Sequence, residues 1–220
     1  MLHTGWQKMN LMKILSIAEN KRQQHRADNE HFDVCISNET IFNDLNYVFT
    51  HIHGYKKLYL KFFEDMSIFE FDKTSSVTDN KGEYPAKFDQ IKLYEHTFNT
   101  FREMVLLIKD NNHYEIQKDI FLFIALLHDF GKSYLLCEKY NIDLADSHWV
   151  RGAKYFKKIM DSELGIESDM DKTSQQIIYS TIYIHHDLIE KKKENIFLEA
   201  LKLADSRART KEELLLGKTI

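Results

Sequence analysis

Apolar side chains recur at helical spacing through most of the chain, and this pattern is clearest after about residue 91. One segment is apolar on nearly all faces after residue 119, which is typical of a helix buried at the centre of a domain. The other segments are amphipathic, so we expect them to pack around it. The five predicted helices have the sequences KLYEHTFNTFREMVLLIKD, YEIQKDIFLFIALLHDF, DSHWVRGAKYFKKIMDSEL, DKTSQQIIYSTIYIHHDL and KENIFLEALKLADSRAR.

The first ninety residues predict an additional helical layer followed by a loop. Residues 5–28 have an apolar face at helical spacing, and a second helix is expected to start at Ser37 or Asn38 and to extend through KKLYLKFFEDM. Residues 67–89 contain the only proline and several turn signals, so they predict a long loop, which is often functional. The expected parts are an N-terminal helical extension with its loop (1–90), a core (91–210) and a C-terminal tail (211–220).

Composition narrows the fold class and the cellular setting. The chain has only one proline and seven glycines, which favours an all-α protein over a fold that needs many turns. The formal net charge of -4 argues against broad non-specific nucleic-acid binding, although a local basic groove is compatible with it. Cys35 and Cys137 do not form a disulfide framework, which is typical of a reducing compartment. Without a signal-peptide pattern or a membrane-length apolar run, the expected location is the cytoplasm.

Each of the five predicted helices carries histidine or aspartate at its end or beside apolar residues. A single histidine on an apolar helix is more often a hydrogen-bonded core residue than a ligand, but the combination is hard to explain as independent cases. Burying each of these polar side chains without a partner would cost on the order of several kcal/mol, and bound metal ions would provide a partner for all of them. Imidazole and carboxylate suit zinc, iron, manganese, cobalt or nickel. The candidate ligands are His96, His128, Asp129, His148, His185, His186 and Asp205.

The order of these residues resembles that of the HD-domain metal-dependent phosphohydrolases. The family pattern of a His, a His-Asp doublet and a late Asp is found in LYEHTF, LLHDFGK and KLADSRA, and it implies a five-helix core over about residues 91–210. The two-metal subset adds a His and a His-His pair, found in DSHWVRG and IYIHHDL. The resemblance implies one metal held by His96, His128, Asp129 and Asp205, and a second held by His148, His185 and His186. Asp129 would bridge the metals, and a water or hydroxide between them would be the nucleophile.

Charged residues near the motifs are candidates for substrate contacts. Lys132 follows the doublet and is expected either to bind a substrate phosphate or to be a cation favoured by the helix C-terminus. Arg151 and Arg102 are weaker phosphate candidates, for which surface salt bridges are the alternative. Asp187 follows the His pair and is expected either to orient one of those imidazoles or to be a solvated helix end.

The resemblance implies hydrolysis of a phosphodiester or phosphoanhydride bond, with a nucleotide or cyclic nucleotide as the expected substrate. The region HHDLIEKKKENIF lacks the Gly-Tyr-Pro loop of the cyclic-di-GMP subgroup, which weakens that assignment. One alternative is an HD-type nuclease acting on single-stranded nucleic acid, for which KKKEN at 191–195 is the only dense basic run. Another is a non-catalytic, metal-containing module that senses a nucleotide or binds a partner. No membrane partner is expected, and the sequence does not indicate an oligomeric state.

Overall fold

The computed structural model describes residues 38–77, 86–186 and 195–217. Ten α-helices and no strands are present in these residues, so the prediction of an all-α fold is confirmed. The helices are α1 (Asn38–His51), α2 (Lys56–Ile68), α3 (Leu93–Asp110), α4 (Asn112–Glu115), α5 (Lys118–Leu127), α6 (Tyr134–Lys139), α7 (His148–Met160), α8 (Glu163–Glu167), α9 (Lys172–Ile184) and α10 (Ile196–Gly217).

Helix α5 is the centre of the molecule. All of its residues from Ile120 to Leu127 are buried, as the uniformly apolar sequence predicted. Helices α3, α9 and α10 pack against α5, α10 also packs along α3, and α7 packs against α9. These are the five helices that the sequence predicted after residue 91. The short helices α4, α6 and α8 lie in the connections between them.

Between Asn38 and Ile68 the structure has two helices where the sequence predicted one. The chain leaves α1 after His51, and Tyr55 takes a left-handed conformation (φ 55°) immediately before α2. The carboxylate of Asp119, at the start of α5, accepts hydrogen bonds from the backbone N–H groups of His53 (3.0 Å) and Gly54 (2.8 Å). This long-range contact fixes the turn between the helices. The helix predicted over residues 5–28 lies outside the described residues.

The segment after α2 turns back into the protein and does not stay at the surface as an ordinary loop. An isolated bridge joins Ser75 to Lys92, with backbone hydrogen bonds from the N–H of Ser76 to the carbonyl of Ile91 (3.0 Å) and from the N–H of Leu93 to the carbonyl of Thr74 (2.8 Å). Ser76 is fully buried. The segment therefore reaches the interior near the start of α3.

The last helix continues past residue 210, where the core was expected to end. Helix α10 ends at Gly217, and Glu212 is 1 % exposed. The helix therefore runs on through Glu212, which is buried, whereas Leu214 and Leu215 in its last turn are exposed. Among the described helices, none combines the length and the apolar composition that crossing a membrane would require.

Candidate metal centre

The fold brings the seven candidate ligands to one place at the ends and faces of five helices. Five of them are at most 4 % exposed, while Asp205 and His186 are partly exposed at the edge of the cluster. The positions are His96 in the first turn of α3, His128 and Asp129 just after α5, His148 at the start of α7, His185 and His186 just after α9, and Asp205 in the middle of α10.

The carboxylate of Asp129 lies at the middle of the cluster. Its Oδ2 atom is 3.5 Å from Nε2 of His96 and 3.3 Å from Nε2 of His128. Its Oδ1 atom is 3.4 Å from Nε2 of His148 and 4.0 Å from Nε2 of His185. The two oxygens therefore face two different groups of imidazole nitrogens.

These contacts define two groups of potential ligands that share Asp129. In each group the ligand atoms lie within 4.8 Å of one another. Asp205 adjoins the first group, since its Oδ1 atom is 3.1 Å from Nε2 of His96. The first group is His96, His128 and Asp129, and the second is Asp129, His148, His185 and His186.

Hydrogen bonds at the outer nitrogens orient two of the imidazoles. Nδ1 of His128 is 2.9 Å from the carbonyl of Ala125, and Nδ1 of His185 is 2.7 Å from the carbonyl of Ile182. A carbonyl only accepts hydrogen bonds, so each Nδ1 must carry the proton. The lone pair of each neutral ring is then on Nε2, which points to Asp129 and is available to a metal.

Several polar atoms in the cluster are buried without a hydrogen-bond partner among the described residues. They include Nε2 of His128 and His185, and Oδ1 of Asp129. Buried polar atoms are rarely left without partners, because each one costs about 1–3 kcal/mol. A concentration of such atoms that are all metal-ligand types fits divalent metal ions. Nitrogen and oxygen donors suit the transition metals that the sequence indicated.

Both aspartates of the cluster stay ionised in this environment. Burial alone would raise the pKa of Asp129, but the adjacent Lys132 ammonium opposes it, and the pKa is held well below its usual range. Burial would also raise the pKa of Asp205, but the contact with His96 lowers it far below the usual value. Both carboxylates are therefore in the form that binds a cation.

The two histidines after α9 are held in the neutral form. Burial lowers the pKa of His185 well below its usual value, and it lowers the pKa of His186 to about 4. A neutral imidazole has a free lone pair, so neither residue needs to lose a proton near pH 7 to act as a ligand.

Glu212 belongs to the site although the sequence analysis did not identify it. Its Oε1 atom is 3.0 Å from Nδ1 of His96, and its carboxylate also accepts a hydrogen bond from Asn99 (2.9 Å). Burial alone would lower the pKa of His96, but the contacts with Asp205 and Glu212 outweigh it and raise the pKa. Glu212 follows Asp205 by seven residues, about two helical turns, and this spacing was the available signal that both face the same side.

Lys132 lies in the site but is engaged by protein groups. Its ammonium is 2.7 Å from Oδ2 of Asp129 and 2.6 Å from the carbonyl of Ser76, and the side chain is 3 % exposed. This contact orients the Asp129 carboxylate. The proposed contact between Lys132 and a substrate phosphate stays a prediction.

Ser76 also contacts the C-terminal helix. Arg209 donates hydrogen bonds to the Ser76 hydroxyl (2.8 Å) and carbonyl (3.0 Å), and to Oε2 of Glu212 (3.1 Å). The Ser76 carbonyl thus accepts from both Arg209 and Lys132. A continuous set of buried contacts therefore connects Asp129 to His96 through Lys132, Ser76, Arg209 and Glu212.

Arg151 supports the turn after the doublet. It is 3 % exposed and donates hydrogen bonds to the carbonyls of Gly131 (2.7 Å), Leu144 (3.1 Å) and Asp146 (2.8 Å). These contacts join the turn to the start of α7. The structure does not bring the Arg151 guanidinium into either ligand group, and its role in substrate binding stays a prediction.

Two charged candidates remain, Arg102 and Asp187, and neither is found at the metal centre of the described residues. Arg102 forms a 2.6 Å ion pair with Asp44 in α1, as the salt-bridge alternative expected. Asp187 lies outside the described residues.

A cavity of about 500 Å³ adjoins the cluster on the side of α10. Three candidate ligands form part of its wall, so a molecule in the cavity would have direct access to the metal centre. The lining residues are Phe88, His185, His186, Leu201, Lys202, Asp205, Ser206, Arg209, Thr210 and Glu213.

Comparison with known proteins gives a family but no individual relative. No curated protein and no solved structure matches this chain. Residues 93–210, which are more than half of the chain, match the HD domain. The match covers the same five helices and all seven candidate ligands. The chain therefore belongs to the HD-domain family, a family of metal-dependent hydrolases.

Proposed function

We propose that this protein is a phosphohydrolase that uses two divalent metal ions to cleave a phosphodiester or phosphoanhydride bond in a nucleotide or cyclic nucleotide. One observation carries the proposal: the two oxygens of Asp129 face separate groups of imidazole nitrogens. A carboxylate in this position is suited to bridge two cations. Two ions bound there would supply activation of a water and stabilisation of charge on the phosphoryl group.

Side chains of this protein would hold the two metals, orient the ligands and admit the substrate. His96, His128 and Asp205 would complete the first site, and His148, His185 and His186 the second, with Asp129 shared. Lys132 holds Oδ2 of Asp129, and Glu212 holds Nδ1 of His96, so the ligands are oriented before a metal binds. The cavity beside His185, His186 and Asp205 would admit the phosphoryl group.

The described pocket favours a small phosphorylated molecule over a nucleic-acid strand. A volume of about 500 Å³ is in the range of small-molecule sites. Binding a strand requires a groove with a row of cations, whereas the described pocket wall has two basic residues, Lys202 and Arg209, and two acidic ones. The run at 191–194 lies outside the described residues.

The proposal is tested by metal content and hydrolysis measured together. Elemental mass spectrometry is applied to the wild type, to Asp129→Ala and to His148→Ala, and hydrolysis of bis-p-nitrophenyl phosphate is measured with added manganese. We expect about two metals per chain in the wild type, one in His148→Ala, and loss of both metals and activity in Asp129→Ala. Asp110→Ala is the matched control, because Asp110 is an exposed aspartate at the end of α3.

Other outcomes would identify one of the alternative functions. A metal-loaded wild type that does not hydrolyse the ester with manganese, iron, cobalt or nickel would contradict the enzyme and favour a sensing module. Salt-sensitive cleavage of single-stranded DNA in preference to the small ester would favour a nuclease. One metal in the wild type and in His148→Ala would contradict the dinuclear site.

A further inference from the structure

On the basis of the proposed function, we infer that the pocket contains a second anion site, formed by Lys202 and Ser206 of α10. The substrate would carry an additional phosphoryl group besides the one attacked at the metal centre. The substrate class would then be a nucleoside diphosphate, nucleoside triphosphate or dinucleotide, in preference to a molecule with a single phosphate.

The register of α10 places the two proposed contacts next to the metal centre. Lys202 and Ser206 are four residues apart and both line the cavity. Lys202 precedes Asp205 by three residues, and residues at these spacings are neighbours on a helix surface, about 5–6 Å apart at Cβ. Since Asp205 is 3.1 Å from His96, an anion at Lys202 would lie close to a phosphoryl group at the metals without sharing its position.

The charges around the pocket make Lys202 the suitable cation for this role. Among the described residues, no carboxylate oxygen lies within 4.0 Å of its ammonium. Lys132 is held by Asp129 and Ser76, and Arg209 by Ser76 and Glu212, so both are engaged in orienting the centre. Lys202 is exposed at the pocket wall, where it can move to meet a ligand.

The acidic residue Glu213 also lines the pocket, but it is too far from Lys202 to form an ion pair with it. Glu213 follows Lys202 by eleven residues, which corresponds to about 16 Å along the helix axis. Thr210 lies between them and adds a hydroxyl. Along α10 the wall carries Lys202, Asp205, Arg209 and Glu213 in that order, so basic and acidic residues alternate. Because Asp205 contacts His96 and Arg209 is held by Ser76 and Glu212, the additional phosphate would lie at Lys202.

The size of the cavity is consistent with a ligand larger than one phosphate. Its volume of about 500 Å³ lies within the range for sites of small organic ligands. Phe88 and Leu201 contribute apolar surface to the lining. These residues would contact the sugar or base of a nucleotide whose phosphates lie between the metals and Lys202.

The test compares a ligand that has one phosphonate group with a ligand that has two. Neither ligand can be hydrolysed. Isothermal titration calorimetry on manganese-loaded protein measures Kd for methylphosphonate and methylenediphosphonate, and the metal content is checked after each titration. We expect the wild type to prefer the diphosphonate by about tenfold or more, the effect of a hydrogen bond to a charged group. Lys202→Met should reduce this preference to near one, and Lys202→Arg should keep most of it.

Arg207→Met is the matched control, because Arg207 is an exposed cation on α10 that does not line the cavity. It should leave the preference unchanged. A wild type without the preference, or Lys202→Met with the preference intact, would overturn the second anion site. Hydrolysis of bis-p-nitrophenyl phosphate by the same wild-type sample separates the two proposals: if it persists while the preference is absent, only the anion site is wrong.

Discussion

At the scale of single residues, the site depends on which atom each ligand presents to the centre. His128 and His185 are oriented by carbonyls of their own helices, three residues earlier in the chain. His96 is different, because its Nδ1 atom is held by a carboxylate from α10. The first group of ligands therefore depends on a residue 116 positions away in the chain. Glu212 is a positioning residue whose removal should be measurable in metal affinity.

We predict that Glu212→Gln weakens metal binding by about 10–100-fold, the usual effect of removing a charged partner of a ligating histidine. The amide keeps the shape of the side chain but loses the negative charge next to His96. Competition with a chromophoric chelator for cobalt or zinc measures the change. Glu199→Gln, at an exposed position of the same helix, should leave the affinity unchanged. Equal affinities for wild type and Glu212→Gln would contradict the positioning role.

At the scale of elements, the turn after the doublet determines how closely α7 approaches the centre. A Cβ atom on Gly131 would be 2.0 Å from the carbonyl oxygen of His148 and 2.6 Å from the backbone nitrogen of Gly152. Such distances are possible only without a side chain. Gly131 therefore allows the start of α7, which carries His148, to pack directly against the turn that carries Asp129.

We predict that Gly131→Ala moves α7 outward, lowers Tm and removes the second metal while the first metal is partly retained. The contacts are with backbone atoms, which cannot rotate away as a side chain could. Metal content and thermal unfolding measure the two effects. Gly152→Ala is the control, since its nearest contacts are 3.5 Å and alanine stabilises a helix interior by about 1 kcal/mol relative to glycine. Two metals in a stable Gly131→Ala protein would show that the close approach is not needed.

The sequence predicted the elements better than the contacts between them. The spacing of apolar residues indicated α3, α5, α7, α9 and α10, because helix formation follows from local periodicity. The break between α1 and α2 was missed, since Asp119 fixes it from 65 residues away. Glu212 and Ser76 were missed for the same reason: their roles arise only when distant segments pack together. The candidate ligands were found because they occur in short motifs with a recognisable order.

At the scale of the whole molecule, the N-terminal layer and the HD core form one packed body over the described residues. Aromatic side chains of α2, among them Tyr59, Phe62 and Phe63, are buried in the same cluster as α5. The rings of Tyr59 and Phe123 stack with centroids 4.2 Å apart. A buried polar contact accompanies this packing. The carboxylate of Asp65 in α2 accepts hydrogen bonds from the hydroxyls of Tyr140 (2.8 Å) and Tyr155 (2.7 Å).

These contacts lead to a prediction that separates stability from metal binding. Asp65→Ala removes the acceptor of two tyrosine hydroxyls and the 2.7 Å ion pair with Lys61. Because Tyr155 is fully buried, its hydroxyl cannot turn to water, and we expect a loss of about 2–4 kcal/mol in the free energy of unfolding. Urea unfolding measures the loss.

The double-mutant cycle with Tyr155→Phe tests whether this loss comes from the buried hydrogen bond. If it does, the two substitutions are not additive, because each removes the same interaction. Metal content of the folded Asp65→Ala protein should equal that of the wild type, since Asp65 contacts neither group of ligands. Additive losses would instead assign the effect to the Lys61 ion pair and to packing. Loss of metal from folded Asp65→Ala would mean that the N-terminal layer shapes the metal centre directly, a role that the contacts of Ser76 with Lys132 and Arg209 would then explain.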